Sequence, residues 1–130
     1  QFFSEEPHST PCPNMMCEVR DQERLLAVSF IDLGARSLSS VYAIFEPSEA
    51  RLSLGNITLL MELRFAQMTG RQHLYTGYGH IHESAYAYKK RFTGTEFYDW
   101  AGRWRPLEEL DEAALPLHCK RRGSPRRFPF

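Results

Sequence analysis

The sequence predicts an α/β fold, in which one mixed β-sheet carries helices packed on it, within a single domain. Apolar and β-branched runs typical of strands lie on both sides of a segment with helical periodicity. The order of elements along the chain is strand, strand, helix, strand, helix, strand. With 130 residues and no internal repeat, the chain has the length of one domain. Hydrophobic residues at 42% and charged residues at 25% are close to globular averages, which excludes global disorder.

The first strands are predicted from their apolar runs. Arg24 to Asp32 is almost continuously apolar, which indicates a strand covered on both faces. Leu38 to Phe45 is a second strand of this kind, and Pro47 ends it. A shorter strand is expected from Met16 to Asp21, after an irregular, proline-containing lead-in over residues 1–15.

The clearest helix begins at Ser53. Its apolar residues recur at spacings of three and four and therefore share one helical face; they are Leu54, Ile57, Met61, Phe65 and Met68. Ser53 is the expected N-cap, and Gly70 the expected stop. A strand over Gln72–Tyr78, a short helix over Ser84–Phe92 and a last strand over Gly94–Trp100 are expected to follow, and the pattern weakens beyond Trp104.

Charge divides the chain into a body and a tail. From Lys120 onward there are five basic residues and no acid, so the remaining 11 basic and 16 acidic residues leave the body near −5. A body of that sign is not typical of a dedicated nucleic-acid binder. Residues 16–110 are predicted to form the domain and residues 111–130 a disordered basic tail, whose cations alternatively contact phosphates.

Cysteine usage and hydropathy bear on the compartment. Three cysteines cannot form a complete disulfide set, which favours a reducing, cytoplasmic location. The chain has no run approaching the roughly 18 apolar residues of a membrane span, so no membrane partner is expected. Cys12 and Cys17, with His8 nearby, make only half of a possible metal site, and no metal is predicted.

The helix start from Arg51 to Gly55 is a candidate phosphate site. A helix N-terminus presents unpaired amides and the positive end of its dipole, here at Ser53, Leu54 and Gly55. Gly55 allows close approach of a ligand backbone, and Arg51 adds a charge-assisted contact. The alternative is an ordinary capped helix beside an exposed arginine.

Two aromatic stretches offer further binding and catalytic groups. Tyr75, Gly77 and Tyr78 lie where a predicted strand ends, and open α/β sheets bind ligands at this edge. The two tyrosine rings either orient a substrate, stack on an adenine or belong to the core. In the Tyr86–Phe92 run, Tyr88 is a candidate general acid and Lys89 a candidate phosphate contact. An amphipathic surface helix is the alternative there.

Glu62 lies on the flank of the long helix and is a candidate for orienting an amine. The alternative is that its carboxylate is half of an exposed ion pair.

Four of these segments, in this order, resemble one family. The first is a strand that ends in an aromatic residue before a proline (Val41–Pro47), and the second is an Arg-x-Ser-Leu-Gly helix start with a later glutamate (Arg51–Gly55, Glu62). The third is Tyr-x-Gly-Tyr (Tyr75–Tyr78), and the fourth is Tyr-Lys before a basic residue and Phe (Tyr88–Phe92). The chain resembles the C-terminal half of arginyl-tRNA–protein transferases and of their bacterial leucyl-transferring relatives, over roughly residues 25–110.

The resemblance implies a GNAT-like fold that uses an aminoacyl-tRNA as donor and needs no cofactor. The acceptor is the α-amine of a protein or peptide N-terminus that bears an acidic residue. On this basis Arg51 and the Ser53–Gly55 amides are expected to hold tRNA phosphates, with Lys89 nearby. Tyr75 and Tyr78 would line the acyl pocket, Tyr88 would protonate the leaving ribose oxygen, and Glu62 would orient the amine.

Two other functions remain open from the sequence. An acyl-CoA-dependent N-acyltransferase of the GNAT class generally has a fuller glycine-rich loop, whereas here Gly55 is followed by Asn56 and Ile57. A non-catalytic binding relative would keep the fold and transfer nothing, and whether 130 residues suffice for activity is likewise open.

Overall fold

The computed structural model describes residues 12–79 and 87–110, together with the backbone of residues 2–4. The strands are β1 (Phe2–Ser4), β2 (Asn14–Asp21), β3 (Arg24–Leu33), β4 (Ser37–Phe45), β5 (His73–Tyr75), β6 (Glu96–Tyr98) and β7 (Trp104–Pro106). Helix α1 spans Leu54–Met68, and short 3-10 helices span Pro47–Leu52, Ala87–Arg91 and Leu107–Glu109. None of the described helices is long and apolar enough to cross a membrane.

The main sheet is mixed, as predicted. Its strand order is β1-β2-β3-β4-β5; the first four strands pair antiparallel, and β5 lies parallel to β4. The parallel pair is possible because α1 forms the crossover between β4 and β5. The predicted irregular lead-in is wrong in part: β1 pairs with the middle of β2, and β2 begins at Asn14.

Only one face of the sheet is well covered, so the prediction of strands buried on both faces is wrong. In β3 the buried residues alternate, as in Ala27, Ser29 and Ile31, and the residues between them are half-buried. In β4, Val41 and Tyr42 are 57% and 59% exposed. The reason is that α1 packs across one face, whereas no described element covers the other.

Helix α1 buries a stripe that differs from the predicted one. The residues that face the sheet are Leu54, Thr58, Leu59, Glu62 and Ala66. Of the predicted apolar stripe only Leu54 is fully buried, and Met68 is 72% exposed. The inner face therefore has polar side chains at its centre, with larger apolar residues along its edge. Glu62 lies on the buried face rather than on the flank.

The two ends of α1 are formed differently. Ser53 is the N-cap residue of α1, as predicted, but its backbone is left-handed (φ 52°, ψ 48°) and its side chain makes no capping hydrogen bond. At the other end, Gly70 has φ 70°, its N–H donates to the Gln67 carbonyl, and Arg71 N–H donates to the Ala66 carbonyl. This is a Schellman motif, which confirms Gly70 as the stop.

The C-terminal part departs most from the sequence patterns. β5 has three residues rather than seven, because its pairing with β4 ends at Tyr75 and the chain turns at Gly77 (φ 78°). The described part of the predicted Ser84–Phe92 helix is a 3-10 helix; residues 80–86 lie outside the described residues, as do residues 111–130 of the predicted tail. The last predicted strand is three residues, β6, and pairs with β7 in a separate hairpin.

Candidate active site

The start of α1, the end of β5 and the 3-10 helix Ala87–Arg91 meet at one place, because the ring of Tyr88 lies on Gly55. A Cβ atom added to Gly55 would lie 3.0 Å from Tyr88 Cζ and 3.2 Å from its hydroxyl oxygen. Only glycine admits the ring at this distance. Gly55 therefore gives close approach to a side chain of the protein itself, and the Tyr88 phenol lies at the positive end of the α1 dipole.

Two backbone amides at this helix start have no acceptor among the described residues. The Ser53 carbonyl accepts from the N–H groups of Asn56 and Ile57, whereas the amides of Leu54 and Gly55 donate to no described residue. Leu54 is buried as a whole residue (4% exposed) in a core cluster with Leu26 and Ala27, so of the two amides only that of half-buried Gly55 lies near the surface. The Gly55 amide and the Tyr88 hydroxyl thus lie close together, where both can donate to one oxyanion.

Arg51 lies just before the helix start and is exposed. Its Nε is 3.4 Å from Glu49 Oε2, and its side chain is 81% exposed. Glu49 also receives a hydrogen bond of 3.0 Å from Arg24. Because the Arg51 side chain is in solvent and its contact with Glu49 is long, that contact costs little to exchange for a phosphate contact.

Lys89 follows Tyr88 in the 3-10 helix and contacts the residues that follow β5. Its Nζ donates to the Thr76 carbonyl at 2.6 Å and lies 4.0 Å from the Cβ position of Gly77. Burial lowers the pKa of Lys89, and the charge of Glu62 opposes that shift. A half-buried ammonium next to a strand end is suited to holding an anion or a carbonyl oxygen.

Glu62 is a buried carboxyl beneath this surface. Its side chain is 1% exposed, and its Oε2 makes no hydrogen bond of good geometry with a described residue. Burial raises the pKa of Glu62, while the hydroxyls of Ser29 and Ser40 and the charge of Lys89 lower it by less. Its burial excludes an exposed ion pair as an explanation of this residue.

Ser29, Ser40 and Cys17 are polar or sulfur-bearing neighbours of Glu62, and of these the sequence patterns singled out only Cys17, as part of a possible metal site. Ser29 is fully buried on β3, opposite Cys17 on β2. Burial first, then the Glu62 charge, raises the pKa of the Cys17 thiol to about 11, so Cys17 is not a nucleophile at neutral pH. A serine at an inward position of an apolar strand is the signal that would have found Ser29.

Tyr75 and Tyr78 follow the strand end but differ in their surroundings. Tyr75 is 42% exposed and its ring centroid lies 5.6 Å from that of Trp104, whereas Tyr78 is 86% exposed. Neither ring belongs to the core, so that alternative is excluded for both. Among the predicted site residues, the structure thus brings together Gly55, Tyr88, Lys89, Gly77 and, electrostatically, Glu62. Arg51, in the 3-10 helix Pro47–Leu52, and Tyr78, after β5, are exposed.

The cysteines give no indication of a metal site in the described ranges. Cys12 is half-buried and Cys17 is buried, and the two do not form a disulfide bond with each other. Within residues 12–79 and 87–110, no three His, Cys, Asp or Glu side chains lie close enough to hold an ion.

Comparison with known proteins shows which family the chain is similar to. Residues 1–99 match the family described as Arginine-tRNA-protein transferase, C terminus. An aspartate/glutamate leucyltransferase of Xanthomonas euvesicatoria pv. vesicatoria is 42% identical over 85 residues, which cover 65% of this chain and 33% of that protein. One from Halorhodospira halophila is 37% identical over 99 residues, 75% of this chain and 42% of the relative.

A third relative extends the match over most of the chain. An aspartate/glutamate leucyltransferase of Gluconacetobacter diazotrophicus is 37% identical over 121 residues, which cover 92% of this chain and 44% of the relative. The chain therefore spans between a third and a half of the length of these relatives. The chain belongs to the arginine-tRNA-protein transferase family and corresponds to its C-terminal part.

Proposed function

We propose that this chain carries the catalytic centre of an aminoacyl-tRNA–protein transferase, with a GNAT-like fold and a cytoplasmic location. The observation that carries the proposal is the meeting of three groups at one place: the helix start at Gly55, the Tyr88 phenol and the half-buried Lys89 ammonium. Donors of this kind suit an ester whose carbonyl and leaving oxygens both gain negative charge during transfer.

The donor is proposed to be leucyl-tRNA and the acceptor a protein or peptide beginning with Asp or Glu. The names of the relatives support this choice, since all three are aspartate/glutamate leucyltransferases. Arginyl-tRNA is the second donor to test, because the matching family is described by arginine. No cofactor is required, since the aminoacyl ester is already activated.

Phosphate binding is assigned to the start of α1 and its surroundings. Arg51 and the Gly55 amide would contact phosphates near the tRNA 3′ end, together with Lys89; of the other predicted amides, that of Ser53 already donates to the Ala50 carbonyl and that of Leu54 belongs to a buried residue. Each such contact releases counterions when tRNA binds, so the affinity should depend steeply on salt.

The reaction itself is a transfer between an ester and an amine. The neutral α-amine nitrogen bonds to the ester carbonyl carbon, the bond from that carbon to the ribose oxygen breaks, and one proton moves from nitrogen to the ribose oxygen. An α-amine has a pKa of about 8, so a useful fraction is neutral. Tyr88 is proposed to donate to the leaving oxygen, while Tyr75 and Tyr78 line the acyl pocket. Holding both reactants supplies most of the acceleration.

Glu62 is proposed to act through Lys89 rather than by touching substrate. Its 1% exposure keeps it from the surface, but its charge raises the pKa of Lys89 against the effect of burial. Glu62 would thus keep Lys89 protonated when a substrate closes over the site, which makes it a positioning residue for the ammonium. The predicted role of orienting the acceptor amine would be indirect.

The function is tested by transfer of a radiolabelled amino acid from charged tRNA to peptides that begin with Asp, Glu or Ala. Leucyl-tRNA should label the Asp and Glu peptides and leave the Ala peptide unlabelled. Label from arginyl-tRNA alone would change the donor but keep the reaction. No label from folded protein with either donor would contradict the proposal and favour a binding relative; transfer from acetyl-CoA would favour the acyl-CoA enzyme.

The phosphate assignment has its own test in the salt dependence of tRNA binding. Arg51→Ala and Lys89→Ala should each weaken binding at low salt and reduce the slope of log K against log salt by roughly 0.7–0.9. Arg20→Ala is the matched control, because that arginine pairs with Glu18 on β2. Unchanged affinity and slope in both test variants would show that these cations do not contact phosphate.

A further inference from the structure

Four aromatic rings form a continuous row beside the candidate site. The row consists of Tyr75, Trp104, Tyr98 and Trp100, in that spatial order. Successive ring centroids are 5.6, 5.4 and 5.5 Å apart, and successive ring planes are inclined by 51°, 52° and 78°. Because the rings are tilted rather than stacked flat, neighbouring rings do not cover each other's faces completely.

The rings of the row are exposed to an unusual degree. The exposed fractions are 42% for Tyr75, 51% for Trp104, 38% for Tyr98 and 57% for Trp100. A single exposed aromatic residue needs no explanation, but four in mutual contact make a continuous apolar surface of the kind that marks a binding site.

The hairpin β6–β7 holds the row in place. Tyr98 and Trp104 are paired residues of its two strands, so their rings lie on the same face. In the turn, Asp99 Oδ1 accepts from the N–H groups of Ala101 and Arg103. Trp100 has φ 60°, a left-handed conformation that a bulky residue rarely adopts. The turn therefore imposes a backbone cost at the residue that adds the fourth ring.

One end of the row, at Tyr75, lies next to the candidate active site. Tyr75 precedes Thr76, whose carbonyl accepts from Lys89, and Lys90 and Arg91 follow Lys89 in the chain. The Lys89 ammonium thus lies near the Tyr75 end of the row. Two acidic residues nearby are engaged locally: Asp99 in the hairpin turn, and Glu109, in the 3-10 helix after β7, in a pair with Arg105 at 2.8 Å.

We propose that this aromatic row binds the unpaired nucleotides at the 3′ end of the donor tRNA by stacking their bases on successive rings. The inference rests on the proposed function. It adds a binding site for the bases of these nucleotides, whereas the residues discussed above contact only phosphates. Base stacking on aromatic rings is independent of base identity, and it is combined in single-strand sites with cations that follow the backbone. Tyr75 would stack on the terminal adenine, next to the acyl pocket.

The experiment compares two forms of one uncharged tRNA, labelled with fluorescein, one with its unpaired 3′ nucleotides and one trimmed of them. Trp104→Ala and Trp100→Ala should each weaken binding of the intact tRNA about tenfold, the loss expected when one stacked base loses its ring. Binding of the trimmed tRNA should be the same in these variants and the wild type. Trp104→Phe, which retains a ring, should recover most of the affinity.

Tyr42→Ala is the matched control, since Tyr42 is an equally exposed aromatic (59%) on β4 outside the row. It should leave both affinities unchanged. The proposal is overturned if the Trp variants bind intact tRNA as the wild type does, if they lose intact and trimmed tRNA equally, or if they raise only the KM for the acceptor peptide, which would make the row a peptide site.

Failure of the transferase proposal is distinguishable from failure of this one. Binding of the two tRNA forms requires no transfer, so a folded wild type that labels no peptide but prefers intact tRNA through Trp100 and Trp104 would retain the nucleotide site. Conversely, labelling by the wild type with unchanged tRNA affinity in the Trp variants would retain the transferase and remove the nucleotide site.

Discussion

At the scale of single residues, the buried carboxyl of Glu62 is the feature that most needs a function to explain it. A carboxyl that is 1% exposed and has an unpartnered oxygen is unfavourable for stability when ionised. Its electrostatic neighbour Lys89 is a residue of the candidate site. The molecule therefore places an unfavourable group where it influences a cation at the proposed reaction centre.

Glu62→Gln should remove a pH dependence of stability. Because the pKa of Glu62 is raised by folding above its ordinary value of 4.5, the wild type loses stability as the pH rises through the folded pKa. The glutamine variant lacks this loss, so it should gain relative to the wild type as the pH rises from about 4.5 toward neutrality. Urea unfolding at several pH values measures the difference.

The gain in stability of Glu62→Gln should be accompanied by a loss of transfer activity at alkaline pH. Without the Glu62 charge the pKa of Lys89 falls further, so the loss of transfer activity at alkaline pH should begin at a lower pH than in the wild type. Parallel stability curves with identical pH–activity profiles would show that Glu62 is ionised normally and does not act on Lys89.

Gly55→Ala should displace the Tyr88 phenol without unfolding the protein. The new methyl group would lie 3.0 Å from Tyr88 Cζ, so the ring must move by a few tenths of an ångström. Alanine suits a helix better than glycine, so stability should change by less than about 1 kcal/mol. Transfer rates should fall about tenfold, because small misplacements of a catalytic group are costly.

Gly79→Ala is the control for that variant, since a Cβ atom at Gly79 meets nothing within 4 Å. It should keep wild-type transfer rates. A Gly55→Ala enzyme that is as active as the wild type would remove Tyr88 from the proposed proton transfer.

At the scale of elements, helix α1 is defined by its C-terminal end more clearly than by its beginning. Gly70→Ala should destabilise the protein by about 1–2 kcal/mol, because φ 70° places a Cβ atom in an unfavourable left-handed conformation. Denaturant unfolding measures this loss as a lower midpoint with an unchanged slope. Space is not the cause, since no atom lies within 4 Å of the added Cβ, and an unchanged midpoint would mean that the Schellman motif does not form.

Element types could be predicted from the sequence where periodicity is long. The two strands over residues 24–45, helix α1 and the glycine that ends it follow from apolar runs and turn chemistry. The inner face of α1 could not be predicted, because Thr58 and Glu62 are polar and only the tertiary packing shows that they face the sheet. The short β5 and the β6–β7 hairpin depend on pairing partners distant in sequence.

The candidate site could be predicted in its members but not in its geometry. Arg51, Gly55, Tyr88 and Lys89 were found from spacing and resemblance, whereas the contact between Gly55 and Tyr88 depends on a crossing of two elements more than 30 residues apart. Trp100 and Trp104 escaped prediction, since their importance arises from ring contacts that only the hairpin creates.

At the scale of the whole molecule, the sheet separates a supporting layer from a reactive edge. The core lies between α1 and one face of the sheet, in two clusters that include Leu26, Leu54, Ile31 and Leu38. The candidate site and the aromatic row lie at the edge where β5 ends, beside the start of α1 and the β6–β7 hairpin. A rigid core thus positions groups that would otherwise be held only by loops.

The central claim is that this edge transfers an aminoacyl group from tRNA to a free α-amine. The most direct measurement is the intact mass of an Asp-beginning peptide after incubation with the folded chain and leucyl-tRNA, beside the same peptide acetylated at its N-terminus. The account predicts a gain of one leucyl residue on the free peptide and none on the acetylated one. No gain on either peptide, or an equal gain on both, would contradict it.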